Sequence, residues 1–331
     1  MKIAMIMAGN EEGGLEKHVV ELSNGLQKRD YQVSLIAHEK YRDRVDTHFI
    51  SLDLTKSRRN LLMLYRLYRT LKTLQPDIIH VHGNKAAAIV GSILKFLNIP
   101  SVATLHSRKK NTKMFSPFDA VIAVSPNAAE VVAHPNKFVV LNGIEKPQLS
   151  ENNKKIHPKV VLAVGRLVPV KGFDLLIQAW KGIEDAQLWI VGEGSEKNKL
   201  ENLIAENDLQ DKVKLLGFRN DITDLMQIAS LFVMSSHYEG CPYTMIESLL
   251  CRLPMVSTAV GAMVTMLPKK YLCEVNDIHS LHMLLVHTLN NLEKTLEDFE
   301  PVFNNANQFL VIDGMIDQIE AVYQRAVDRH A

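Results

Sequence analysis

The stretch Ser236-His237-Tyr238-Glu239-Gly240-Cys241-Pro242-Tyr243-Thr244-Met245-Ile246-Glu247 sets two carboxylates around an expected loop-to-helix junction. Leu231 to Met234 reads as a buried strand, Gly240 and Pro242 break it, and Thr244 to Leu250 reads as a helix, since proline is tolerated at a helix start. Glu239 then lies in the loop and Glu247 one to two turns into the helix. Ionised carboxylates accept hydrogen bonds through both oxygens, which suits the vicinal hydroxyls of a sugar or a ribose. Two cations stand at another predicted strand end. Arg166 and Lys171 follow the apolar run Val160 to Val164 and Gly165, and a guanidinium fork with a flexible ammonium could neutralise a departing diphosphate without a metal.

Further candidates also follow apolar runs. Gly13-Gly14 comes after Ile3 to Met7 and precedes a helix expected near Leu15, offering backbone N–H groups and a positive dipole end to a phosphate. A plain tight turn fits that pair as well, and its spacing is not the Gly-x-Gly-x-x-Gly of dinucleotide binders. Leu188 to Val191 ends at Gly192-Glu193-Gly194. Val102 to Leu105 ends at His106, which reads either as a structural histidine or as a functional one beside polar Thr104 and Ser107.

These positions need elements to hold them. Apolar runs at Ile3 to Met7, Val33 to Ala37, Ile78 to Val81, Val102 to Leu105, Ala120 to Val124 and Phe138 to Leu141 alternate with amphipathic segments. The second half repeats the rhythm at Val160 to Val164, Leu188 to Val191, Val213 to Leu216, Leu231 to Met234 and Met255 to Ser257. Such alternation predicts α/β architecture, with doubly wound parallel sheets covered by helices on both faces. A length of 331 residues suits two domains. The polar segment Glu145 to Lys159 reads as a linker, giving domains over 1–150 and 151–331, and the helical tail from Asp277 could return its last helix to the first domain. Ligands of open α/β sheets bind outside the carboxyl ends of strands, so the site is expected in a cleft between the domains.

Composition narrows the function. Hydrophobic content of 47% and charged content of 23% are ordinary for a soluble globular chain, and no apolar stretch is long enough to span a bilayer. The first apolar run is too short for a signal peptide and meets Glu11-Glu12, so a cytoplasmic protein is expected. Three cysteines without a Cys-x-x-Cys pairing give no disulfide framework or zinc site, and without Asp-x-Asp or His-Glu-x-x-His no metal is expected. Residues 1–150 carry 21 basic and 13 acidic side chains, a net of +8, against a net of −7 for 151–331. From Lys56 to Lys113 there are twelve basic residues and a single acid, Asp77. That surface suits an anionic membrane or a phosphorylated acceptor; nucleic acid is not expected, because no aromatic-rich strand motif accompanies the charge.

Together these residues resemble the family 4 glycosyltransferases, retaining enzymes of the GT-B fold, over nearly the whole chain. The resemblance rests on Gly13-Gly14, Pro76-Asp77-Ile78-Ile79-His80-Val81-His82, Thr104-Leu105-His106, Val124-Ser125, Asn142-Gly143-Ile144, Val164-Gly165-Arg166 with Lys171-Gly172, Val191-Gly192-Glu193-Gly194, and above all Glu239 and Glu247. It implies two Rossmann-like domains, an acceptor-side one and a nucleotide-sugar donor one. Glu239 would contact the donor sugar hydroxyls, Glu247 the ribose, Arg166 and Lys171 the diphosphate, Gly14 the phosphate, and His106 the transferred sugar. Gly13, Gly165, Glu193 and Gly240 are expected to line the donor. The implied activity is retaining, metal-independent hexosyl transfer from a nucleotide sugar, a UDP-sugar by expectation, to a glycan or lipid-linked acceptor of envelope polysaccharide or lipopolysaccharide. No cofactor is implied, and the protein could sit peripherally on the inner face of the cytoplasmic membrane. Open alternatives are a GT-B sugar-nucleotide epimerase or hydrolase and a non-catalytic nucleotide-sugar-binding subunit. The chain departs from the family pattern at Arg252, where glycine is usual and the helix is expected to end differently, at Ala262 and Thr265, and in a short segment from His106 to Asp119.

Overall fold

Among the described residues, thirteen strands form two sheets in which every pairing is parallel. The computed structural model describes residues 1–10, 13–108, 110–150 and 159–330, so Glu11, Glu12, Lys109 and most of the expected linker lie outside the described residues. Strands β1 (Lys2–Met7), β2 (Gln32–Ala37), β3 (His48–Ser51), β4 (Ile78–His82), β5 (Ser101–Leu105), β6 (Ala120–Ala123) and β7 (Lys137–Val139) build the first sheet in the order β3-β2-β1-β4-β5-β6-β7. Strands β8 (Lys159–Val164), β9 (Ala186–Val191), β10 (Val213–Leu215), β11 (Leu231–Met234), β12 (Met255–Thr258) and β13 (Leu272–Cys273) build the second in the order β10-β9-β8-β11-β12-β13. Both orders reverse direction beside their first strand, the doubly wound arrangement with a switch point between β1 and β4 and between β8 and β11.

The helices are α1 (Gly14–Lys28), α2 (Leu61–Leu74), α3 (Asn84–Gly91), α4 (Pro126–Glu130), α5 (Phe173–Ala179), α6 (Lys197–Glu206), α7 (Ile222–Ile228), α8 (Tyr243–Leu250), α9 (Met263–Met266), α10 (Ile278–Asn290), α11 (Leu292–Phe309) and α12 (Ile312–His330). The chain divides into two compact units, Met1–Ile144 with Phe309–Ala331, and Glu145–Gln308. The first unit therefore closes six residues before the expected boundary and takes back the tail of the chain. Its strands alternate. Ala4 and Ile6 of β1 join Ile79 and Val81 of β4 and the apolar stripe Met63, Leu67 and Leu71 of α2, whereas Ile3, Met5 and Met7 join Val19 and Leu22 of α1 and Ile316, Ile319 and Tyr323 of α12. Helix α12 thus contributes six buried side chains to one core layer. Gly25 lets it approach closely, because an added Cβ would stand 2.7 Å from Ile316 Cδ1.

The strand period also decides where the polar groups go. On β4, Ile78 shares a face with His80 and His82, so both histidines point into the layer under α1 and α12. On β5, Thr104 shares that face with Val102. A buried polar layer is built there at the carboxyl ends of two central strands.

Candidate active site

In the second unit, the cationic and acidic candidates come from neighbouring strand ends. Strand β8 runs into Gly165-Arg166, β9 into Gly192-Glu193-Gly194, and β11 into the loop that carries Glu239 to the start of α8. The first two loops pack backbone to backbone. Leu167 N donates to Glu193 O at 2.8 Å and Glu196 N to Leu167 O at 2.9 Å. A Cβ on Gly192, which sits at φ +140°, would run into the Gly165 carbonyl, and one on Gly194 into the Leu167 backbone. The glycines are what allow Arg166 to be held there, exposed, with no carboxylate partner among the described residues.

Lys171 is held from two sides. Its Nζ donates to Glu239 Oε1 at 2.6 Å, and its carbonyl accepts from Ser235 Oγ at 3.0 Å. Its stem lies over Gly165, where an added Cβ would stand 3.3 Å from Lys171 Cε. Gly172 turns the chain at φ +61°, so that a side chain there would meet the Ser235 carbonyl. Glu239 Oε1 also accepts from Ser236 Oγ at 2.7 Å. The pair is little exposed, at 19% for the Lys171 side chain and 12% for Glu239, so water screens it weakly. Behind them, Ala262 N donates to Gly240 O at 2.8 Å, and Gly261, at φ +56°, leaves room for that carbonyl. Glu247 lies half-buried on α8, one turn past Tyr243.

In the first unit, the glycine turn follows β1 as expected, with Gly13 as the N-cap of α1 and Gly14 its first residue. The Glu16 carboxylate fills the hollow of this turn; a Cβ on Gly9 would stand 2.5 Å from its Oε1 and one on Gly13 3.2 Å from its Oε2. An acid in the first turn of a helix is favoured by the positive dipole end. His106, at the end of β5, belongs to a cluster of imidazoles. Its Nε2 is 3.3 Å from His82 Nδ1, and its ring meets that of His18 edge-on with centroids 4.8 Å apart. His80 is bonded through both nitrogens, to Tyr323 Oη at 2.6 Å and Thr104 Oγ1 at 2.7 Å.

Burial keeps these rings neutral. It lowers His18 to about 4, against a raising contribution from Asn142, and His80 to about 3, with the neighbouring His18 adding to the effect. His82 and His106 are pushed well below the usual imidazole range, first by desolvation and then by the neighbouring rings. Neutral imidazoles are also metal ligands, and His18, His82 and His106 present ring nitrogens within 4.8 Å of one another. No other such group of metal-ligating side chains occurs among the described residues.

Residues 145–300 match the family described as Glycosyl transferases group 1, and residues 12–145 match Glycosyltransferase Family 4. The two matches meet at the division between the units. The chain is a family 4-type glycosyltransferase. An uncharacterized glycosyltransferase of Haemophilus influenzae is 29% identical to it over 88% of this chain and 91% of the relative. A lipopolysaccharide core biosynthesis glycosyltransferase, LpsD, of Rhizobium meliloti is 25% identical over 72% and 73%. The UDP-Gal:alpha-D-GlcNAc-diphosphoundecaprenol alpha-1,3-galactosyltransferase of Escherichia coli is 24% identical over 98% and 96%. The crystal structure of Anabaena Alr3699/HepE in complex with UDP superposes with a TM-score of 0.82 at 19% identity, covering 98% of this chain and 100% of that one. The fold of this glycosyltransferase is GT-B.

The glycosyltransferase brings Lys171 and Glu239 into direct contact, with Gly165 beneath them and Gly240 behind. Arg166 and Glu193 stand exposed on adjoining loops. Gly13, Gly14 and His106 belong to the other unit. One expectation fails: helix α8 does not end differently for want of glycine. Arg252 takes φ +54°, Leu253 N donates to Ser248 O at 2.9 Å and Arg252 N to Leu249 O at 3.1 Å, the paired bonds of a left-handed helix end. Its guanidinium pairs with Glu300 and lies 5.1 Å from the centre of the Phe303 ring, contacts that offset the backbone strain. Sequence reasoning missed Ser236, His18 and His82 as site residues. The alternation of His80 and His82 along an otherwise apolar strand was the available signal.

Proposed function

We propose that this glycosyltransferase moves a hexosyl unit, with retention, from a UDP-sugar to a glycan or lipid-linked acceptor in the synthesis of envelope polysaccharide or lipopolysaccharide. The observation that carries the reading is the fixed set Lys171, Glu239 and Ser236 beside Arg166, which is exposed and has no carboxylate partner among the described residues, at the carboxyl ends of β8 and β11. In the proposed reaction Arg166 and Lys171 stabilise the leaving diphosphate, Glu239 orients the sugar hydroxyls and Glu247 the ribose, with Gly165, Glu193 and Gly240 lining the donor. Gly13 and Gly14 receive phosphate, and neutral His106 faces the transferred sugar. The acceptor hydroxyl attacks from the face that the diphosphate leaves, and its proton passes to the departing oxygen. Most of the rate enhancement then comes from positioning and preorganised charge.

The Rhizobium lipopolysaccharide core biosynthesis glycosyltransferase and the Escherichia coli galactosyltransferase support the acceptor class, and the UDP complex of the Anabaena protein supports the donor base. The proposal places the protein in the cytoplasm, peripheral to the inner membrane face, with the basic surface of the first unit meeting an anionic partner. The reaction is proposed to need no metal. Incubating the protein with UDP-sugars and lipid-linked or glycan acceptors, with and without EDTA, tests this. Retained anomeric configuration by NMR and undiminished turnover in EDTA are expected. Inverted product would overturn retention, and activity lost in EDTA and restored by a transition metal would overturn metal independence and make His18, His82 and His106 candidates to hold the ion.

A further inference from the structure

Helix α2 carries a face that the glycosyl-transfer chemistry does not use. Asn60 caps it, its Oδ1 accepting from Met63 N at 2.9 Å, and Met63, Leu67 and Leu71 bury one stripe in the core. The opposite side is uncovered and carries large apolar side chains: Leu61 is 80% exposed, Leu62 59% and Tyr65 57%. Arg66, Arg69 and Lys72 are exposed on the same helix, and Lys56, Arg58 and Arg59 are exposed just before it. At 100° per residue, positions 61, 62, 65, 66, 69 and 72 fall within an arc of roughly 140°. From Lys56 to Leu74 there is no acidic residue.

We propose that this face is a membrane-docking surface, with Leu61, Leu62 and Tyr65 entering the headgroup region of an anionic bilayer and the surrounding arginines and lysines binding lipid phosphates. The inference rests on the proposed lipid-linked acceptor, which would hold the protein's substrate at such a surface. Charge alone would serve a nucleic acid equally. Two adjacent leucines ringed by arginines suit a bilayer, because arginine stems snorkel along apolar surface while their heads reach phosphate. Helix length does not argue otherwise, since no described helix is long and apolar enough to cross a membrane and this one would lie in the interface.

The test is sedimentation of the full chain with vesicles of phosphatidylcholine containing about one third phosphatidylglycerol, and with phosphatidylcholine alone. The intact protein is expected to bind the anionic vesicles and largely not the neutral ones. Leu61→Ser, Leu62→Ser and Tyr65→Ser combined are expected to weaken partitioning at least about tenfold, and Arg58→Gln, Arg59→Gln, Arg66→Gln and Arg69→Gln combined to remove its salt dependence. All these side chains are exposed, so a melting curve close to that of the parent serves as the folding control. No binding by the parent, equal binding by the apolar variant, or binding indifferent to lipid charge would overturn the assignment. A vesicle-free assay with a short-chain soluble acceptor separates the two ideas. Transfer there without vesicle binding sinks this inference alone, whereas vesicle binding without transfer to any acceptor sinks the proposed activity.

Discussion

Single side chains at this site are arranged by burial and by immediate neighbours. Four histidines in one cluster would repel if charged, so the fold holds them neutral, with His18 lowered to about 4 and His80 to about 3. In the unfolded chain an imidazole titrates near ~6.5, so below that pH the unfolded state binds more protons than the folded one. The histidine contribution is complete above about pH 7 and is lost as the pH falls from ~6.5 towards the folded values, at about 1.4 kcal/mol per pH unit for each ring. Thermal melts at pH 7.5 and 5.5 are therefore expected to show a marked drop in melting temperature at the lower value, and a flat profile would contradict neutral burial. His80 is the ring whose neutrality matters most to packing, since Tyr323 reaches it from α12. Tyr323→Phe removes that hydroxyl and is expected to cost about 1–3 kcal/mol in a denaturant titration. The positions of Arg166, Lys171 and Glu239 after apolar strands were legible from the runs before them, whereas the roles expected of these residues came from the family resemblance. The histidine cluster was not legible, because its members lie on α1, β4 and the end of β5, and only the tertiary fold brings them together.

At the scale of elements, the strand ends decide the site, and glycines decide how close those ends come. Gly172 holds φ +61° against the Ser235 carbonyl, and it follows directly on Lys171. Gly172→Ala would require left-handed backbone at a cost of about 1–2 kcal/mol and must also move the facing carbonyl. The expected result is a loss of at least ~2 kcal/mol of stability with a larger loss of turnover, because Lys171 moves with the turn. Unchanged turnover would mean that the turn does not position the lysine. Periodicity revealed the long buried strands well, and the parallel α/β class followed from their alternation with helices. It missed β3 and β13, and for a physical reason. His48–Ser51 is a four-residue edge strand with no fully buried position, and Leu272–Cys273 has two residues, so neither presents an apolar run. The end of α8 was misjudged because the side-chain contacts of Arg252 cannot be read from a helix-cap rule.

For the whole molecule, the chain order and the division into units do not coincide. Two domains were legible from length, charge asymmetry and repeated α/β rhythm. The return of the last helix to the first domain was an open expectation, because an amphipathic stripe says that a helix must pack but not against what. Met315, Ile316, Ile319, Val322, Tyr323 and Ala326 complete the core layer under β1 and α1. Deleting residues 309–331 is accordingly expected to unfold the first unit, seen as lost protection of β1 and β4 amides in hydrogen exchange; a truncated chain with native protection there would contradict the core assignment. The proposed role of Arg166 and Lys171, to stabilise the leaving diphosphate, belongs to the second unit. Its most direct test is steady-state sugar transfer by the parent, Arg166→Ala and Lys171→Ala, with melting curves as folding controls. Each substitution is expected to lower turnover by about 10²-fold or more while leaving the protein folded, and full turnover by both folded variants would contradict the account.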